Sequence, residues 1–282
     1  MSAAWVQAVL LHGLIGAMGL LPYRARLAVG GWLVTRIVAP LAGYRRRIRA
    51  NLALVWPDLP QAEVDRLVIE VPRNVGRSLV EVYSAAEFKA RLRDTPVTGP
   101  GLPAILQAHA QGRGVILVSG HFGNYDVPRA VLSARGHAVG ALYRPLGNPY
   151  LDATFHAAIE QLGKPVFARG RRGLAEMVAH LRGGGLVGLL MDQSMSHGET
   201  LQFFGHPAKT ALSAAELALK YNCLLVAAYG VRQADPTRFT LIVEAPVPVS
   251  DRRTMTQSLN DSLEAQIRAH PAQWMWIHRR WK

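Results

Sequence analysis

The sequence predicts an α/β fold: a mainly parallel central sheet flanked by helices on both faces, preceded by an N-terminal hydrophobic membrane-anchor helix. Three observations carry this. From residue 114 onward, short apolar runs alternate with helical stretches, the signature of strands joined by helical crossovers. The runs are apolar throughout rather than alternating with polar residues, as expected of strands covered on both sides. Ahead of them, Ala4 to Leu21 carries no Asp, Glu, Lys or Arg.

In chain order, the first apolar stretch holds Val9, Leu10, Leu11, Leu14, Ile15 and Met18 and is followed by Arg24 and Arg26. It is close to the length that spans a bilayer. A second apolar stretch, Leu27 to Tyr44, is interrupted by Arg36 and Pro40 and ends in Arg45-Arg46-Arg47-Ile48-Arg49. Apolar helix followed by an Arg cluster reads as an anchor with its basic flank in the cytoplasm. A buried core helix with a solvated basic cap would show the same pattern. No Lys or Arg precedes the first run, which fits a cleaved signal peptide poorly. Residues 1–50 are assigned to the anchor and its flank, and 51–282 to one α/β domain.

Trp56-Pro57-Asp58-Leu59-Pro60 is a turn. Gln61 to Arg93 has helical spacing, and Pro72 predicts a division into two helices. A short helix is expected over Leu102 to Gln111. Strands are expected at Val115–Ser119, Ala138–Tyr143, Pro165–Phe167, Leu186–Met191, Leu224–Tyr229 and Phe239–Val243. Helices are expected near 127–135, 150–162, 173–182, 210–221 and 254–269.

The composition narrows the function. Half of the 282 residues are apolar, so disorder is excluded. The chain carries 32 Lys and Arg against 19 Asp and Glu, a net charge of +13. Nearly all the basic residues are Arg, the side chain that grips phosphate in a bidentate fashion. The partners are therefore anionic: nucleic acid, anionic lipid or a phosphorylated small molecule. Cys223 is the only cysteine and sits in an apolar run, the setting of a buried structural thiol. No P-loop, G-x-S-x-G elbow, H-E-x-x-H or Cys cluster is present, so no metal ligand set is assigned. Gly183 to Gly188 matches G-x-G-x-x-G but precedes a strand, and reads as a helix stop and turn.

The residues that point to chemistry begin at Ser119-Gly120-His121-Phe122-Gly123-Asn124-Tyr125-Asp126. A buried strand leads into two glycines, so the turn presents an imidazole at the sheet edge. His121 is the only histidine with an acidic residue five positions later. About 0.7 such matches arise by chance in this composition, so the context must decide. A carboxylate reaching back to an imidazole makes a general base with an orienting partner. An aspartate capping the next helix would give the same spacing. Further strand ends deliver Tyr143-Arg144-Pro145, Ala168-Arg169-Gly170 and Met191-Asp192-Gln193 to the same rim.

With these motifs, Phe203-Phe204-Gly205-His206-Pro207-Ala208 and the terminal His270-Pro271-Ala272-Gln273-Trp274-Met275-Trp276-Ile277-His278-Arg279-Arg280-Trp281-Lys282, the sequence resembles the bacterial lipid A late acyltransferases of the lysophospholipid acyltransferase superfamily. The resemblance covers nearly the whole chain. Members that act on lipid A often carry Glu where this chain has Asp126; Asp is common in glycerolipid and mannoside acyltransferases.

The resemblance implies transfer of an acyl chain from a thioester, on acyl carrier protein or coenzyme A, to a hydroxyl of a lipid A precursor, at the cytoplasmic face of the inner membrane. It implies no cofactor beyond that co-substrate. His121 is the expected base and Asp126 its partner. The N–H groups of Gly123 and Asn124 are expected to hold the oxyanion. Arg144 and Arg169 are expected on acceptor phosphates, with Asp192 fixing one of those Arg or a sugar hydroxyl and Gln193 beside it. The competing readings are acylation of a glycerophospholipid or other glycolipid, and a non-catalytic basic membrane protein. Nucleic-acid binding lacks the aromatic–basic interleaving of single-strand readers.

Overall fold

The computed structural model describes residues 2–281. The chain opens with α1 (Ala3–Gly19) and α2 (Tyr23–Leu33), which runs through a π turn (Val34–Val38) into the short α3 (Ala39–Leu41). Next come α4 (Tyr44–Val55), α5 (Gln61–Tyr83) and α6 (Ala85–Arg91). The sheet region follows: β1 (Val97–Thr98), α7 (Gly101–Ala110), β2 (Val115–Ser119), α8 (Val127–Ala134), β3 (Val139–Tyr143), α9 (Pro149–Leu162), β4 (Val166–Ala168), α10 (Arg171–Arg182) and β5 (Leu186–Leu190). A hairpin, β6 (Glu199–Phe203) and β7 (His206–Thr210), precedes α11 (Ser213–Tyr221), β8 (Leu224–Arg232), β9 (Phe239–Pro246) and α12 (Arg252–Ala269).

Seven strands form one sheet in the order β1-β9-β8-β2-β5-β3-β4. The run from β8 to β4 is parallel; β9 lies antiparallel to β8, and β1 follows β9 in parallel. Strand alternation sends successive side chains to opposite faces. Ile116 and Val118 join one core, with α10, α11, α12 and the C-terminal tail; Val115 and Leu117 join the other, with α6 to α9. Each of these buried side chains stabilises the fold by roughly 1.5–3 kcal/mol. The six strands expected from the apolar runs are all present. The two-residue β1 and the β6–β7 hairpin add to them.

Pro72 does not divide the helix it sits in. Helix α5 runs unbroken for 23 residues, with Val68, Val71, Asn74 and Gly76 buried on either side of the proline. Tertiary burial of both halves outweighs the one backbone hydrogen bond that proline removes. The same helix grips the N-terminal section. A Cβ on Gly76 would lie 2.3 Å from the Gly30 carbonyl oxygen of α2, so the two helices cross almost backbone to backbone.

No single helix among the described residues is long and apolar enough to cross a membrane; α2–α3 and α4 pass together only as a pair bent by 85°. The N-terminal section nevertheless exposes Leu10, Leu14, Leu20, Trp32, Ile37 and Leu41. Helix α1 lies along α9, with Thr154 hydroxyl 2.8 Å from His12 Nε2 and Asn148 Nδ2 donating to the Ala4 carbonyl.

Candidate active site

The site follows from register. Strands β2 and β5 are parallel neighbours that pair Ser119 with Leu190. Two residues beyond each partner stand His121 and Asp192. Adjacent strands lie about 4.8 Å apart, so the two side chains meet. His121 Nδ1 lies 2.7 Å from Asp192 Oδ1, and the His121 backbone N–H donates to Oδ2 at 2.8 Å. The buried Trp274 indole N–H donates to the same Oδ2 at 2.8 Å. A carboxylate only accepts, so its contact with Nδ1 assigns the tautomer: Nδ1 carries the proton and Nε2 is left as a base. Burial alone would raise the Asp192 carboxyl. The attraction of the His121 imidazole and its hydrogen bonds outweigh burial and hold the group well below the usual carboxylate range.

Asp126, the expected partner, faces elsewhere. It is buried against Arg129, whose Nη1 donates to Oδ1 at 2.7 Å. Arg129 Nη2 donates in turn to the Gly163 carbonyl at the end of α9. Asp126 thus ties the start of α8 to α9, and the orienting carboxylate comes from β5. Asp192 accordingly does not hold Arg144, Arg169 or a sugar hydroxyl; its oxygens are filled by His121 and Trp274.

The expected oxyanion donors are also engaged. Gly123 N–H donates to the Gln273 carbonyl at 2.8 Å and Asn124 N–H to the Gly230 carbonyl at 3.1 Å. Gly123 has φ +57°, and a Cβ there would lie 1.9 Å from the Gly230 oxygen, so only glycine fits. Its carbonyl accepts from Asn74 Nδ2 at 2.9 Å. The Asn124 side chain donates to Glu81 at 2.7 Å, and Glu81 forms a buried ion pair with Arg232. Both residues build the turn that holds His121, which is a positioning role.

Arg144 and Arg169 do reach the same rim. They directly follow the paired residues Tyr143 and Ala168, and both are exposed. The strand order puts Arg144 two strands from His121 and Arg169 three, about 10 and 14 Å along the sheet edge. Gln193 is exposed next to Asp192.

Two further residues frame His121. The Tyr125 ring stands edge-on to it, centroids 5.2 Å apart, and the His278 ring at 4.7 Å. Burial pushes the Tyr125 phenol upward and the His278 imidazole down to about 4, so both are neutral near pH 7. Neither role was readable from spacing; for His278 the only signal was its place in the Trp-Met-Trp-Ile-His-Arg-Arg-Trp terminus. That terminus runs antiparallel to the His121 turn, with Met275 N–H donating to the His121 carbonyl.

A narrow crevice of about 50 Å³ opens on His121, lined by Val71, Val75 and Leu79 of α5 together with Phe155 and Met275. A larger depression of about 600 Å³ lies under Trp56–Pro60 and touches neither His121 nor Asp192.

An imidazole with one nitrogen fixed on a buried carboxylate and the other free, at the mouth of an apolar crevice, is equipped to take a proton from a weak nucleophile. The fold and site therefore define an α/β protein with a His–Asp pair at the mouth of an apolar crevice. A family model described as bacterial lipid A biosynthesis acyltransferase matches residues 2–282. The chain is 27% identical over 243 residues to the lipid A biosynthesis lauroyltransferase of Escherichia coli (strain K12), covering 83% of this chain and 78% of that one. It is 23% identical over 238 residues to the myristoyltransferase of the same organism, covering 83% and 73%. It is 26% identical over 245 residues to the phosphatidylinositol mannoside acyltransferase of Mycobacterium tuberculosis (strain ATCC 25618 / H37Rv), covering 85% and 78%. The chain belongs to the bacterial lipid A biosynthesis acyltransferase family and is an O-acyltransferase.

Proposed function

We propose that the protein moves a fatty acyl chain from a thioester, on acyl carrier protein or coenzyme A, to a hydroxyl of a lipid A precursor. The observation that carries this reading is the His121–Asp192 pair beside an apolar crevice. A hydroxyl is a weak nucleophile at neutral pH. His121 Nε2 takes its proton as the oxygen attacks the thioester carbonyl, and Asp192 stabilises the imidazolium that forms. The same imidazolium then returns the proton to the departing sulfur. Arg144 and Arg169 bind the phosphates of the acceptor from the neighbouring strand ends, where their guanidinium groups face solvent.

The exposed apolar side chains of α1 and of the α2–α3 segment, with Arg24 and Arg36 exposed among them and Arg46 exposed on α4, support a protein that lies on an anionic bilayer. In this reading it sits on the cytoplasmic face of the inner membrane, where the acyl carrier is available. Similarity to a phosphatidylinositol mannoside acyltransferase at 26% identity supports a second acceptor, a phosphoglycolipid, served by the same Arg residues. Incubating the purified protein with acyl-carrier and coenzyme A thioesters and with each acceptor separately, followed by mass spectrometry of the lipid, tests both. The reading expects one acceptor to gain one acyl chain. Neither acceptor gaining mass would reject it.

A further inference from the structure

Helix α5 holds the turn that carries His121. Asn74 Nδ2 donates to the Gly123 carbonyl at 2.9 Å, and Asn124 Nδ2 donates to Glu81 Oε2 at 2.7 Å. Asn74 and Glu81 both bond in turn to Arg232, the last residue of β8. Arg232 Nε donates to Asn74 Oδ1 at 2.7 Å, Nη2 to Glu81 Oε2 at 2.7 Å and Nη1 to Glu81 Oε1. Nη1 also reaches the Pro236 carbonyl at 2.7 Å and Nη2 the Ser78 hydroxyl at 3.4 Å. Every N–H of the guanidinium thus has an acceptor. Asn74, Glu81, Asn124 and Arg232 are all buried.

The two charges decide which way the two amides point. A guanidinium only donates, so Asn74 turns its oxygen to Arg232 and its NH₂ to Gly123. A carboxylate only accepts, so Asn124 turns its NH₂ to Glu81, and its oxygen accepts the Asp126 N–H at 2.9 Å. The main chain of Arg232 adds a third tie. Its N–H donates to Gln273 Oε1 at 2.9 Å and its carbonyl accepts from Gln273 Nε2 at 2.8 Å, while the Gln273 carbonyl accepts from Gly123. Helix α5 also supplies Val71, Val75 and Leu79 of the crevice. One helix therefore fixes both the crevice wall and the turn that carries the base. Stability alone is a poor reason for two buried charges, because apolar residues of the same volume often do as well or better.

We propose that Glu81 and Arg232 are positioning residues: acting through Asn74 and Asn124, they hold His121 against Asp192 and at the mouth of the crevice. The kinetic consequence rests on the acyl-transfer reading above; the geometric one does not. Displacing the base by about 1 Å is enough to slow the reaction about 10²-fold.

The test replaces both charges together, Glu81→Leu with Arg232→Met, so that neither is left buried without its partner. At a temperature where melting curves show the double variant folded, kcat is expected to fall about 10²-fold with KM within about threefold. A second variant, Asn74→Leu, keeps the ion pair and cuts one of its two links to the turn; its kcat is expected to fall about tenfold. Proton NMR reads the geometry without turnover. The Nδ1 proton between His121 and Asp192 gives a resonance far downfield, which His121→Ala identifies by removing it. In the double variant that resonance is expected to move upfield or to be lost to exchange with water. A pair that served stability alone would leave it in place in the folded protein. A double variant that keeps more than a third of the parent kcat, or whose downfield resonance is unmoved, overturns the proposal. If the double variant fails to fold, Asn74→Leu decides, and the parent rate or an unmoved resonance in it overturns the proposal. A parent protein that acylates no acceptor would instead remove the acyl-transfer reading, and the resonance would still test the positioning.

Discussion

Replacing Asp192 and Asp126 separately by Asn distinguishes the observed geometry from the H-x4-D spacing. Asp192 accepts three N–H groups, from the His121 ring, the His121 backbone and the Trp274 indole. An Asn oxygen can accept two; the third meets an NH₂ that cannot accept, and the His121 tautomer loses its anchor. The expected fall in kcat is on the order of 10³–10⁴, the size of the loss when an orienting carboxylate is neutralised in a triad. Asp126→Asn acts differently. It leaves the buried Arg129 guanidinium without its counter-charge, at a cost of about 3–5 kcal/mol of stability. For a chain of this size that is a melting temperature lower by roughly 10 °C. Activity per folded molecule stays within about fivefold of the parent, because Asp126 bonds to Arg129 and not to His121. Initial rates at a temperature where both variants are folded, with melting curves alongside, decide the matter. If Asp192→Asn keeps more than a tenth of the activity while Asp126→Asn abolishes it at unchanged stability, the pairing read from the strand register is wrong.

Three further outcomes are expected. Arg144→Ala and Arg169→Ala each raise KM for the phosphorylated acceptor by about tenfold or more and leave kcat within a few-fold, as removal of a charge-assisted hydrogen bond should; an unchanged KM in both would remove the phosphate role. Replacing the exposed Leu10 and Leu14 of α1 by Asn weakens sedimentation with anionic phospholipid vesicles by at least about a hundredfold, since each buried Leu contributes roughly 1.5–3 kcal/mol; equal sedimentation would free α1 of that role. Acid stability follows from His278, whose folded pKa of about 4 lies below the unfolded value near 6.5. The unfolded chain binds the extra proton between those values, so stability falls as pH drops through that window, by up to about 3 kcal/mol. Urea midpoints at pH 7 and pH 5 should differ less in His278→Gln than in the parent; identical differences would contradict a buried neutral imidazole.

The layered sheet was legible because its signal is local. Val115-Ile116-Leu117-Val118 and the other apolar runs need no neighbour to mark them as covered strands. The β6–β7 hairpin escaped because Pro207 within β7 argues against a strand, although on this two-stranded ribbon its missing N–H costs little. Pro72 misled for a related reason: helix α5 is held by burial along its length, which a propensity rule does not see. The place of His121 just past a buried strand, at the sheet edge, was legible from its apolar run and glycine turn. Its partner was not. Asp192 lies 71 residues away and reaches His121 only because β5 takes the place next to β2, a strand order that no local pattern encodes. Asp126 had the right spacing, but Arg129, one turn into the helix that follows, satisfies it first. His278 arrives from the far end of the chain, so its packing against His121 is equally invisible to spacing.

In the proposed reaction the free nitrogen of His121 takes the proton of the lipid hydroxyl. The most direct measurement is product formation by the parent and by His121→Ala at equal folded concentration, followed by mass spectrometry of the lipid. A singly acylated product is expected from the parent, and a loss of at least about 10³-fold in His121→Ala, with vesicle binding intact. Equal product from both proteins would contradict that role.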